Sequence, residues 1–343
     1  MNVHFPTAND ARRRFHPDRY RWAFTLTELL VVIGLIVLLV SILLAALGHV
    51  QAKAKEISTL ATMEAFANAC STFQQEHGFY PGVVSESAMV SDAEQGAGLP
   101  QISGTENALF HLMGGFIREA DFSAGSDPGW DDYDEAGGWE RLTYAGGGND
   151  VKISVARLGD GPTIGGKPYP PYFTPGDRDF GVAEGQLNYG KVLPDLLDAW
   201  GQPIMYLRRM RSVGPVTEPP SGTGGTAPAP PQFDSAGMQP YIQSPGLGSL
   251  GRNQKTSSLL ATIDEPDAFL GLVLQHPALP GQARGSFMLL SAGADGVYFS
   301  RDQVVDDDDG PFDDYQDFLD QGYDRNPRIF EEFDDITVFG GGE

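Results

Sequence analysis

The sequence predicts an α+β fold, in which a long N-terminal helix, transmembrane and then amphipathic, packs on a small antiparallel sheet with long loops. Three observations predict it. Residues 29–47 form an unbroken apolar run that passes into a helical apolar face, two short apolar segments near residues 203–208 and 286–299 read as strands, and the intervening stretches are rich in Gly, Pro and acids.

The first 23 residues carry five arginines (Arg12, Arg13, Arg14, Arg19, Arg21) against two acids (Asp10, Asp18). The chain as a whole has 46 acidic and 23 basic residues, a net charge of −23, so the rest is still more acidic. Such a body repels phosphate backbones, and no nucleic-acid partner is expected. The acidic excess serves solubility or the binding of a divalent cation. A single cysteine, Cys70, excludes an internal disulfide and any site built on several thiolates. It is expected at a small apolar position on a helix.

Leu29–Leu47 contains 19 uncharged residues with Ser41 as its only hydroxyl, a length that spans the ~30 Å hydrocarbon core as a helix. Arginines before the run keep the N-terminus cytoplasmic and send the body outward, with Lys53 and Lys55 arguing mildly the other way. A cleaved secretory signal would end in an A-x-A pattern, which Ala45-Ala46 meets only in part. Neither that reading nor a plain signal anchor explains Glu28, a carboxylate set directly before the apolar run.

The stretch Ala23-Phe24-Thr25-Leu26-Thr27-Glu28-Leu29-Leu30-Val31-Val32-Ile33 resembles the processing site of type IV prepilins and type II secretion pseudopilins. The resemblance implies a pilin-like fold and a basic leader over residues 1–23, cut between Ala23 and Phe24 by a prepilin peptidase that also methylates the new N-terminus. Glu28 would then meet the terminal amine of a neighbouring subunit, a pairing that makes a costly buried charge into a register device. Alanine before the cut, where the family has glycine, and the lack of a proline late in the membrane helix are departures.

Residues 24–47 form the membrane helix and residues 48–78 its amphipathic continuation, with Ile57, Leu60, Met63, Ala67, Cys70 and Phe73 at spacings of three or four. Gly78 ends it and Phe79-Tyr80-Pro81 opens a head over residues 79–211. Within the head, residues 82–190 read as an elaborated loop region, apart from a short helix over 105–119 with Thr105 and Asn107 as candidate caps. No nucleophile elbow, P-loop or dinucleotide fingerprint occurs, His111 has no evident partner, and an enzyme is not expected.

Asp198-Ala199-Trp200-Gly201-Gln202-Pro203 is a turn, after which Ile204 and Tyr206 point to one side of a strand. It is similar to an element of the major pseudopilin of type II secretion systems. Residues 212–258, dominated by Pro, Gly, Ser and Thr, read as a flexible linker or loop. The last region, 259–343, holds the strand Phe287-Met288-Leu289-Leu290 and then Ser291-Ala292-Gly293-Ala294-Asp295-Gly296-Val297.

This last pattern is similar to the calcium loop of the major pseudopilin, closed by a later aspartate before isoleucine, here within Asp334-Asp335-Ile336. The resemblance implies Ca²⁺ held by the Asp295 and Asp335 side chains and the carbonyls of Leu290 and Val297. From the residues alone a plain β-turn, with the run Asp306–Asp309 as a solvated loop, competes with it.

The resemblance also implies the partners: other pseudopilins and copies of the chain, the inner-membrane secretion platform and membrane lipid. A type IV pilus subunit for adhesion or DNA uptake is the alternative within that class. A membrane-anchored binding module, with Trp130, Tyr133, Trp139 and Tyr144 stacking on sugars, is the alternative outside it.

Overall fold

The structure is a computed structural model that describes residues 25–89, 101–122, 128–144, 150–182, 193–219, 229–244, 257–300, 305–306, 310–311 and 333–342. The chain divides into two compact units, Met1–Gln51 and Ala52–Glu343. Helix α1, Leu26–His77, runs unbroken through 52 residues.

In the first unit, α1 opens on a reciprocal cap. The Glu28 N–H donates to Thr25 Oγ1 (3.2 Å) while the Thr25 N–H donates to Glu28 Oε2 (2.9 Å), which satisfies two backbone groups that a helix start would otherwise leave open. The apolar side chains from Leu29 to Leu44 are exposed, and among the described residues α1 is the one helix long and apolar enough to cross a membrane. At 1.5 Å per residue, the uncharged run matches a bilayer core of ~30 Å.

In the second unit, α1 becomes a packing helix. Met63, Phe66, Cys70 and Phe73 recur at spacings of three and four and are fully buried. The packed face starts lower than the apolar periodicity suggests, because Ile57 (58% exposed) and Leu60 (38%) stay in solvent. Thr59 is buried between them and accepts the Ala199 N–H at Oγ1 (3.0 Å). Gly78, at φ +82°, ends the helix in the left-handed turn that suits glycine.

Helix α2, Gly104–Met113, is buried at every position. Its cap is Ser103, whose hydroxyl accepts the Glu106 N–H (3.1 Å) while Glu106 Oε2 accepts the Ser103 N–H (2.7 Å). That corrects the assignment of Thr105 and Asn107 as caps. Thr105 instead donates to the Ile204 carbonyl (2.6 Å), and the Asn107 amide brackets Val84, accepting its N–H and donating to its carbonyl. Residues 82–190 are also more than loops. Strands β1 (Phe116–Arg118), β2 (Glu140–Leu142) and β3 (Val151–Ile153) form an antiparallel sheet in the order β1-β3-β2 over its own core of Phe110, Phe116, Leu142, Val151 and Ile153.

The central sheet consists of β4 (Met205–Arg208), β5 (Phe287–Ser291) and β6 (Ile336–Gly340), with β5 in the middle and antiparallel to both neighbours. Phe287 faces Arg208 and Gly340, and Leu290 faces Met205 and Thr337. Alternation along the strands sends Ile204, Tyr206, Phe287 and Leu289 toward α1 and α2, and Met205, Leu207, Met288 and Leu290 into a second core. Burial on both faces accounts for the unbroken apolar run of β5.

That second core corrects the linker expectation for residues 229–244. Phe233, Met238, Tyr241 and Ile242 are buried there beside helix α3, Pro266–Leu274. Isolated aromatics in a Pro/Gly-rich background carry no period, yet each fills core volume.

Candidate functional site

The turn before β4 and the loop after β5 form one hydrogen-bonded unit at the same end of the central sheet. Asp198 Oδ1 accepts the N–H groups of Trp200 (2.9 Å) and Gln202 (2.8 Å), closing the turn, with Gly201 at φ +80°. Its other oxygen, Oδ2, accepts from the hydroxyl of Ser291, the last residue of β5 (2.7 Å). Tyr298, fully buried, donates its hydroxyl to the Pro203 carbonyl (2.5 Å). The Trp200 element and the Asp295 loop, almost 100 residues apart in sequence, are thus neighbours.

The loop itself is shaped by carboxylates that accept backbone N–H groups. Asp334 Oδ2 accepts from Ala294 (2.7 Å) and Asp295 (3.0 Å), Asp295 Oδ1 from Val297 (2.8 Å), and Asp335 Oδ2 from Phe299 (2.9 Å). Gly293 sits at φ +66°, where a Cβ would lie 2.2 Å from the Asp334 carbonyl oxygen. Only glycine suits both the angle and the approach. Phe299, at φ +46°, is the one non-glycine residue at positive φ among the described residues. Ring contacts with Phe269 and Phe333 hold it there.

Asp295, Val297 and Asp335 therefore meet around one loop, while Leu290 lies in the β5 ladder just before it. Asp334 and Asp198 also belong to this end of the sheet. Asp198 had a signal in the sequence, an aspartate two and four residues before amides that it can cap, but its bond to Ser291 is a long-range contact. Asp335 is partly exposed as a residue, yet its Oδ1 is shut off from solvent and has no hydrogen-bond partner among the described residues. Burial raises its pKa well above the usual 3.8; the Phe299 N–H opposes the rise, and the carboxylates of Asp334 and Asp295 add to it.

All donors here are oxygens, the set a hard cation such as Ca²⁺ prefers. Among the described residues, no group of three or more His, Cys, Asp or Glu side chains is placed to hold a metal ion. The orphaned Asp335 oxygen is the feature that fits a cation. Of the acidic insert, Asp307–Asp309 lies outside the described residues, as do Ala23 and Phe24.

Of the processing and assembly residues Ala23, Phe24 and Glu28, Glu28 lies within the described residues. Its cap engages Oε2 alone, through the Thr25 N–H and hydroxyl. His111 is packed, 2% exposed, with Nδ1 accepting the Gly82 N–H (3.0 Å). Burial and the Arg208 charge lower its pKa from 6.5 to about 3, leaving a neutral ring. Of the four aromatics considered for sugar stacking, Trp139 and Tyr144 are buried, and Trp130 is covered by Phe122 and by the Lys152 ammonium 4.4 Å from its ring centre.

Comparison of the chain with protein-family models, curated proteins and solved structures finds no match.

Proposed function

We propose that this chain is a pseudopilin-like structural subunit, cut between Ala23 and Phe24 by a prepilin peptidase and polymerised through α1 into a periplasmic filament for type II protein secretion. It sits in the inner membrane with its N-terminus cytoplasmic and its head periplasmic until it assembles. The observation that carries this reading is the division of labour along α1. One continuous helix is apolar and exposed from Leu29 to Leu44 but buries Met63, Phe66, Cys70 and Phe73 in the second unit. An anchor alone needs only the first part; a helix that must also transmit axial order needs the unbroken second part.

Glu28 fits the same reading because its cap uses only one carboxylate oxygen. The other oxygen can take the terminal amine of a neighbour, where the charge pair replaces water in an apolar filament core. Calcium, when bound, would be held by the Asp295 and Asp335 side chains with the carbonyls of Leu290 and Val297, and would supply positive charge where carboxylates repel.

The test is Glu28→Ala in the full-length chain, with multimers scored by chemical cross-linking in membranes. Membrane insertion is expected to persist and cross-linked multimers to fall by about tenfold or more, as for loss of a buried pair. Multimers at the wild-type level would refute the role.

A further inference from the structure

Along α1, the apolar run gives way to the packed face through two lysines. From Leu29 to Ala52 the chain carries no Asp, Glu, Lys or Arg, 24 residues in all. As helix they measure ~36 Å, somewhat more than the ~30 Å hydrocarbon core. The first charges after them, Lys53 and Lys55, therefore fall at the depth of the lipid headgroups. Both side chains are exposed. Lys53 pairs with Glu56 (2.5 Å), whereas the Lys55 ammonium lies 5.8 Å from the ring centre of Trp200.

Trp200 is brought there by the turn before β4. Thr59, one helical turn beyond Lys55, accepts the Ala199 N–H, and Asp198 ties the same turn to Ser291 of β5, so the ring is held against α1 from two sides. The ring is nonetheless partly exposed, beside the exposed Gly201. Ala199 and Gly201, its neighbours at the tip, carry no charge. The Asp198 carboxylate is turned inward: the residue is 2% exposed, and its oxygens accept from Trp200, Gln202 and Ser291. On a chain of net charge −23, an uncharged aromatic tip beside a lysine is a departure from the general surface. It fits one solvent in particular. At a bilayer interface the indole ring leaves water while its N–H keeps polar partners, and the lysine meets lipid phosphate.

We infer that Trp200 and Lys55 form a lipid contact, with the Trp200 ring among the headgroups and the Lys55 ammonium on a lipid phosphate. The contact holds the turn before β4 at the membrane surface. It rests on the part of the proposed function that places α1 in a membrane, and not on filament assembly. Chain length selects the occupant. Lys55 is the third residue past the uncharged run, so a lipid surface lies within reach of its side chain in every copy of the chain.

Tryptophan fluorescence of the full-length chain in phosphatidylcholine–phosphatidylglycerol vesicles tests it. The chain has four tryptophans, and the difference from the same chain with Trp200→Phe isolates Trp200. Trp200→Phe keeps a ring beside Lys55, and Trp200→Tyr replaces it where the first lowers the unfolding temperature. A nitroxide on the lipid headgroup is expected to quench Trp200 more than one near the end of the acyl chain does. Lys55→Gln, at an exposed position, is expected to lower the ratio of quenched to unquenched Trp200 by about fivefold, the worth of one lysine at an anionic surface. Leu39→Trp in the Trp200→Phe background reports the stem, which the deep nitroxide should quench. Stem quenching without headgroup quenching of Trp200, or headgroup quenching indifferent to Lys55→Gln, overturns the lipid contact and leaves α1 in the membrane. Shielding of Trp200 from aqueous acrylamide only as chains crowd in the vesicle makes a second copy its cover and also overturns the contact. Absence of both quenching signals overturns the contact and the membrane reading together.

Discussion

Asp335 and His111 are buried titratable groups that pull stability in opposite directions with pH. His111 has its pKa lowered from 6.5 to about 3, so it adds stability fully above 6.5 and loses it as the pH falls toward 3. The expected slope is at most ~1.4 kcal/mol per pH unit for one proton. His111→Gln, which keeps an acceptor for Gly82, should flatten the decline of unfolding temperature over that window. Asp335 is the reverse, with a pKa raised well above 3.8: its contribution is complete below 3.8 and is lost as the pH rises through its folded value. At neutral pH without calcium, Asp335→Asn, which keeps an acceptor for the Phe299 N–H and removes the buried ionisable charge, is therefore expected to stabilise the full-length chain in detergent. Calcium should raise the wild-type unfolding temperature and leave that of Asp335→Asn unchanged. A wild-type transition indifferent to both calcium and chelator would remove the cation from the account.

Each element divides into what local pattern dictates and what only distant contacts decide. Alternation across Ile204–Leu207 and the apolar run Phe287–Leu290 were legible because a strand with both faces buried needs those residues. Strand β6 was not, since Ile336–Gly340 is five residues long, ends in glycine and draws its pairing entirely from β5. The α2 cap was legible in principle as Ser103-Gly104-Thr105-Glu106, an S-x-x-E capping box, but Thr105 drew the assignment two residues too late. Of the acidic loop, Asp295 and Asp335 were marked by resemblance, whereas the two-amide role of Asp334 depends on a fold that brings residues 40 apart together. Gly293→Ala tests the loop as an element. A Cβ there meets the Asp334 carbonyl and forces a positive φ, so a loss of more than ~1 kcal/mol is expected along with loss of the calcium response. Phe66→Ala tests the helix–sheet seam, where the ring is fully buried edge-on to Phe173 and Tyr206, and should cost ~3–5 kcal/mol in denaturant unfolding.

At the scale of the whole molecule, the proposed filament rests on one apolar helix, exposed from Leu29 to Leu44. All of this presupposes that the arginine leader is removed ahead of Phe24, which places Glu28 at the fifth position of the mature chain. Mass spectrometry of the N-terminus of the chain purified from membranes that contain a prepilin peptidase measures that directly: the account predicts a chain beginning at a methylated Phe24, and a chain cut near Ala46, or one that keeps its leader, would contradict it.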